Sequence, residues 1–149
     1  KQQEKNSSIS PNAGASVVSG NGTFTHPCPG YSRISSYFGY REQPLAGAST
    51  NHKGIDFAAP QGTPIYAAAA GTVTSSGYSG KAGKRIVINH GNGLVTIYMH
   101  CHTLYVSAGT KVSKGQNIAA VGTTGNSTGN HLHFQVNSNG TPVNPLKYL

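Results

Sequence analysis

The sequence predicts a mostly β domain, an antiparallel structure of short strands joined by tight turns. Three observations carry that reading. Glycine makes up 20 of the 149 residues and tryptophan is absent, a composition of turns rather than of long helices. Apolar and polar residues alternate with period two at Arg85–Asn89 and His131–Asn137, so one face of each strand is buried. Between two such runs stands His90-Gly-Asn-Gly93, a strong hairpin signal.

In chain order, residues 1–23 read as a flexible tail or linker, because Ser, Asn and Gly dominate and little can be buried. The folded domain is expected over residues 24–149, its start falling between Phe24 and Pro29. The pattern becomes β-like from Ile34. Thr63–Ala70 is read as a buried strand of small residues, since Pro60, Gly62, Pro64 and Gly71 crowd an otherwise helix-prone alanine run. Gly71–Ser76, Arg85–Asn89, Leu94–His102, Val112–Gly115, Asn117–Val121 and His131–Asn137 follow as strands. Gly122–Asn130 is a polar loop, and no repeat of fixed period occurs.

Eleven Lys and Arg against three acids give a net charge of +8, which suits an anionic partner or simply a soluble surface. A nucleic-acid partner is disfavoured, because the densest basic group, Lys81, Lys84 and Arg85, has no aromatic-interleaved continuation. No apolar stretch approaches the ~20 residues of a membrane span. The chain starts at Lys1 rather than Met, so an excised fragment is expected, with any anchor or targeting segment upstream. Cys28 and Cys101 are far apart in sequence and are read as free thiols.

The chemistry concentrates in the histidines, seven in number. His52-Lys-Gly-Ile-Asp56 sets an imidazole four residues from the only aspartate of the chain. His131-Leu-His133 puts two imidazoles on one face of a strand, with Leu132 turned inward. By the same rule Tyr98, His100 and His102 share a face and Cys101 faces away, as a small buried hydrophobe rather than a nucleophile. Gly54 lets the His52–Asp56 segment turn both side chains inward. His26 and His90, beside Pro27 and Gly91, are read as surface residues. Zinc favours imidazole nitrogen and carboxylate oxygen, and catalytic zinc keeps three protein ligands and one open position. His52, Asp56 and either His131 or His133 supply three. The remaining histidine and His100 are left for proton transfer, a task for which no glutamate stands in a suitable motif.

The ordered set HxxxD (His52, Asp56), YxH (Tyr98, His100) and HLHF (His131–Phe134) resembles the lysostaphin-type, or LytM-like, zinc metallopeptidases. Ile34–Arg41, Asn51–Phe57, Pro64–Ala67, Ala70–Val73, Val112–Gln116 and Val121–Gly129 support the resemblance, which covers roughly residues 27–146. It implies a lysostaphin/LytM-like fold of the duplicated hybrid motif type, with a groove-shaped site between loops. It implies Zn2+ held by His52, Asp56 and His133, and His100 and His131 as the two non-ligand histidines that orient water and stabilise the oxyanion. The implied substrate is peptidoglycan, cut at a stem peptide or cross-bridge outside the cytoplasm, in the wall or at the cell surface; the chain itself is expected to act as a monomer. Asn130 stands where many members have proline, and Gln135 where many have glutamate, a change expected to alter groove charge. The competing reading is a non-catalytic LytM-like module that binds wall or regulates other hydrolases. Retention of all five positions favours the enzyme. A further expectation is that Asn12, Asn21 or a neighbour in the tail reaches the open zinc position.

Overall fold

The computed structural model describes residues 24–40, 51–125, 127 and 129–149. The tail of residues 1–23, with Asn12 and Asn21, lies outside them. In chain order the strands are β1 (Arg33–Ser36), β2 (Gly39–Tyr40), β3 (Asn51–His52), β4 (Ile55–Ala58), β5 (Pro64–Tyr66), β6 (Gly71–Tyr78), β7 (Lys84–Gly91), β8 (Leu94–Leu104), β9 (Lys111–Val112), β10 (Asn117–Val121), β11 (His131–Ser138) and β12 (Thr141–Val143). Two 3-10 turns, Gly80–Ala82 and Pro145–Lys147, are the helical elements among the described residues. The mostly antiparallel β expectation is therefore met.

Ten of these strands form one sheet, in the order β9-β6-β7-β8-β11-β4-β1, with β12 on β11 and β10 pairing both β8 and β5. β2 and β3 pair separately. Every pairing is antiparallel. The β7–β8 hairpin closes through Asn92-Gly93 with φ of 55° and 79°. Two left-handed residues in a row match the twist of the flanking strands, so the turn expected from His90-Gly-Asn-Gly93 forms there.

The alternation read from the sequence decides what is buried. Phe57, Leu132, Phe134, Ile86 and Ile88 all lie in the core, with Ile55, Ile65, Ile118 and Val121. The strand expected over Thr63–Ala70 is shorter than anticipated. It ends at Tyr66, and Ala67, Ala68 and Ala69 continue as a buried bend. The bend holds because the Gln116 carbonyl accepts from Ala67 N–H and Tyr98 Oη accepts from Ala68 N–H.

That last bond opens a buried polar chain. Tyr98 O–H donates to Thr96 Oγ1 at 2.8 Å, Thr96 to His90 Nε2 at 2.7 Å, and His90 Nδ1–H to the Ala70 carbonyl at 2.8 Å. Each buried group has a partner, as burial demands. His90 is thus no surface residue. Phe24 covers its ring at 5.6 Å between centroids, and burial lowers its pKa to about 4 against the pull of the Ala70 bond. His26 is half-buried too, stacked on Tyr31 at 4.8 Å and accepting Cys28 N–H on Nδ1. A neighbouring Pro or Gly signals a turn but says nothing of what packs over it. Both cysteines are free and buried.

Candidate active site

Strand register lays the site out in rows. Residues directly opposite in antiparallel strands present their side chains to the same face. Ser36, Asp56, His133 and Met99 form one row across β1, β4, β11 and β8. Arg33, Ala58 and His131 form the next across β1, β4 and β11. Between them the row Ile34, Phe57, Leu132 turns inward, with Phe57 and Leu132 in the core. Period two thus carries His131 and His133 to one face.

His100 reaches that face by a different route. Ile86 pairs with Tyr98 and Lys84 with Cys101, so Met99 and His100 together oppose Arg85. The extra residue is a β-bulge, and His100 carries it with φ of 66°. Left-handed backbone at a non-glycine residue costs about 1–3 kcal/mol. The expected shared face of Tyr98, His100 and His102 is therefore corrected. Tyr98 points into the core with its pKa raised to about 12 by burial, whereas His100 turns to the site. Past the bulge Cys101 is buried and its thiol donates to the Tyr98 carbonyl, while His102 is exposed and pairs with Thr103.

His52, Asp56 and His133 come together so that one donor atom from each lies within 4.8 Å of the others. His133 Nδ1 is 2.9 Å from Asp56 Oδ1, and His52 Nε2 is 3.4 Å from Asp56 Oδ2. His131 Nε2 stands 3.8 Å from Asp56 Oδ1, and the His100 and His131 rings are 5.0 Å apart.

The protons on these rings are assigned by what lies behind them. His52 Nδ1–H donates to the Tyr37 carbonyl at 3.0 Å, His131 Nδ1–H to Gly129 O at 2.9 Å, and His100 Nδ1–H to Thr124 O at 2.8 Å. His133 Nε2–H donates to Gln135 Oε1 at 3.1 Å, and the Gln135 amide in turn donates to Asn137 Oδ1. Each imidazole spends one N–H outside the cluster and turns its other nitrogen inward. Two such nitrogens face the two oxygens of one carboxylate, a contact that needs a proton or a cation between donors. The donor set of two imidazoles and a carboxylate fits a zinc-like cation. Burial alone would raise the Asp56 pKa, but hydrogen bonds from His133 and His52, with their charge, hold it well below the usual carboxylate range. Burial lowers the pKa of His100 against the opposing Thr124 bond.

Gly54 matters through space. A Cβ there would sit 2.6 Å from the Phe134 carbonyl and 2.9 Å from two atoms of the His133 ring. The expectation that it lends backbone freedom is replaced by this close approach. Gln135 likewise lies behind His133, buried, rather than in a groove wall where it could set charge.

Open cavities flank the cluster. One of about 480 Å3 is lined by Arg33, Ser35, Ser36, Asp56, Asn130 and His131. Another of about 310 Å3 is lined by Lys81, Met99, His100 and His133. In the sequence Arg33 has no motif to mark it, and Lys81 stands out only as one of a basic group with Lys84 and Arg85. A lone basic residue carries no spacing signal, and only the register brings Arg33 level with His131.

The family model described as Peptidase family M23 matches residues 50–145. The chain is 47% identical over 116 residues to the DD-carboxypeptidase/endopeptidase Mpg of Neisseria meningitidis serogroup B, covering 78% of this chain and 27% of that protein. It thus spans about a quarter of that relative's length. A zinc-containing peptidase from Vibrio cholerae superposes with a TM-score of 0.77 at 37% identity, covering 83% of this chain and 39% of the other. The catalytic domain of lysostaphin from Staphylococcus simulans gives 0.68 at 34% identity, covering 78% and 90%.

Proposed function

The chain belongs to peptidase family M23, and from that membership we propose that it is a zinc-dependent endopeptidase cutting peptide bonds in bacterial peptidoglycan. The observation that carries the proposal is the His52–Asp56–His133 cluster, three donors within 4.8 Å of one another beside two further inward-facing imidazoles. In this reading His52 Nε2, an Asp56 oxygen and His133 Nδ1 hold the metal. A bound zinc ion supplies Lewis acidity, polarising the scissile carbonyl and acidifying water.

The remaining work falls to the chain's own side chains. His131 and His100 each keep one nitrogen inward while a backbone carbonyl fixes the other. One accepts a proton from the attacking water and returns it to the leaving amine, and the other donates to the developing oxyanion once its inward nitrogen is protonated. Burial lowers the pKa of His100, which favours its neutral form and leaves its inward nitrogen free to take a proton. The Thr124 and Gly129 carbonyls hold both rings in one tautomer. The relatives named for DD-endopeptidase activity support peptidoglycan as substrate and the cell envelope as the place of action. Residues 24–149 are proposed as the unit that carries the activity.

The test is hydrolysis of purified peptidoglycan by zinc-loaded protein, with and without a chelator, alongside His133→Ala. Chelator-sensitive release of peptide amines that the variant lacks is the expected result. No release from several wall types by folded, zinc-loaded protein would defeat the reading.

A further inference from the structure

We infer that Arg33 is a specificity-determining residue, binding a free carboxylate that the peptide substrate carries within one residue of the scissile amide. The inference rests on the hydrolase reading above and names the substrate class more narrowly.

Three observations lead to it. First, register puts Arg33 level with His131, two strands away, with Ala58 between them. Two strand spacings are about 10 Å, roughly the reach of one peptide residue and its side chain. The methyl of Ala58 leaves the floor between Arg33 and His131 low, and the cavity of about 480 Å3 opens there. Second, the cation has no counterion among the described residues. Asp56 is the only Asp or Glu among the described residues, and both of its oxygens face histidines. Arg33 is exposed and lines the same cavity as Asp56 without pairing to it. Third, the other polar groups of the wall are uncharged, namely the Ser35 and Ser36 hydroxyls and the Asn130 amide. A substrate entering here meets, beside the scissile position, a guanidinium with no carboxylate partner among the described residues. The planar fork of arginine pairs with a carboxylate through two parallel bonds.

The test uses zinc-loaded full chain and two soluble cross-linked peptide dimers. One carries free carboxylates on both residues flanking the scissile amide, and the other carries primary amides there. Binding is measured by calorimetry on hydrolysis-resistant reduced-amide analogues of both, and hydrolysis on the peptides themselves. Wild type should bind the carboxylate form on the order of tenfold more tightly, the scale of one charge-assisted hydrogen bond. Arg33→Gln should lose that preference with the amide form unaffected, and Arg33→Lys should keep part of it. In hydrolysis the change should fall on KM and leave kcat in place. Matching thermal midpoints show that the exposed substitution leaves the fold alone.

The inference is overturned if Arg33→Gln binds both forms as wild type does, if it weakens both equally, or if wild type binds neither. A preference that depends on Arg33, without hydrolysis of either peptide, would uphold the carboxylate site and defeat the hydrolase reading. Hydrolysis of both without preference would do the reverse.

Discussion

Gly54→Ala adds a single methyl group where the site has no room for one. The new carbon would stand 2.6 Å from the Phe134 carbonyl oxygen and 2.9 Å from His133 Cε1 and Nε2. An unstrained carbon–oxygen contact needs about 0.7–1.0 Å more than that, and the carbonyl belongs to the β4–β11 ladder, where Phe134 pairs with Ile55. The strands cannot retreat without breaking the row that holds Asp56. Overpacking of this kind costs about 1–3 kcal/mol. The ring of His133 is the softer neighbour, and pushing it breaks its 3.1 Å bond to Gln135 and its alignment with Asp56. Disturbing the support of a ligating histidine lowers metal affinity by about 10–100-fold. Zinc affinity from competition with a chromophoric chelator, and the thermal midpoint of metal-free protein, should therefore fall together. A variant with wild-type affinity and an unchanged midpoint would refute the packing argument.

Other expectations follow from the same geometry. Gln135→Leu should weaken zinc binding about tenfold, while Gln135→Glu, which keeps an acceptor for His133 Nε2–H, should not; equal losses in a competition titration would disprove the positioning role. Chelation should lower the thermal midpoint and added zinc restore it, since a ligand at a hundred times its Kd contributes about 2.7 kcal/mol; a midpoint insensitive to zinc would contradict metal binding by the folded state. His100→Ala should cut the hydrolysis rate by about 10²–10⁴ with zinc content intact, measured on one preparation. The pKa of His90 falls from 6.5 to about 4 on burial. The unfolded chain therefore takes up this proton first. The stability is complete above pH 6.5 and is lost as pH falls toward 4, up to about 3 kcal/mol. Ring resonances of His90 that titrate near 6.5 in folded protein would contradict it.

Much of this arrangement is legible in the sequence because period two is a local rule. Ile86 and Ile88, and Leu132 and Phe134, announce their burial by alternation alone, and Asn92-Gly93 announces its turn. His131 and His133 share a face for the same reason, and the solitary aspartate draws attention to His52. What escaped depends on contacts between distant residues. The bulge at Met99 and His100 leaves no mark in the hydrophobic pattern, so counting by twos assigns Tyr98 to the wrong side. His90 sits beside a turn, yet Phe24, sixty-six residues earlier, covers it. Gln135 looks like a groove residue until β11 places it behind a ring.

The bulge also governs how this strand can vary. Up to Tyr98 the even-numbered positions of β8 face inward, and beyond it the odd-numbered Cys101 does. The strand is written in two phases, and His100 is the residue at the junction. Exchanges within either half keep their meaning, but gain or loss of one residue between Ile97 and Cys101 rewrites every facing on one side of the break. Removing Met99 would restore an uninterrupted ladder and take away the position that lets a histidine turn toward Asp56. The segment is thus rigid in count, and gaining or losing one residue there displaces His100 as surely as replacing it would.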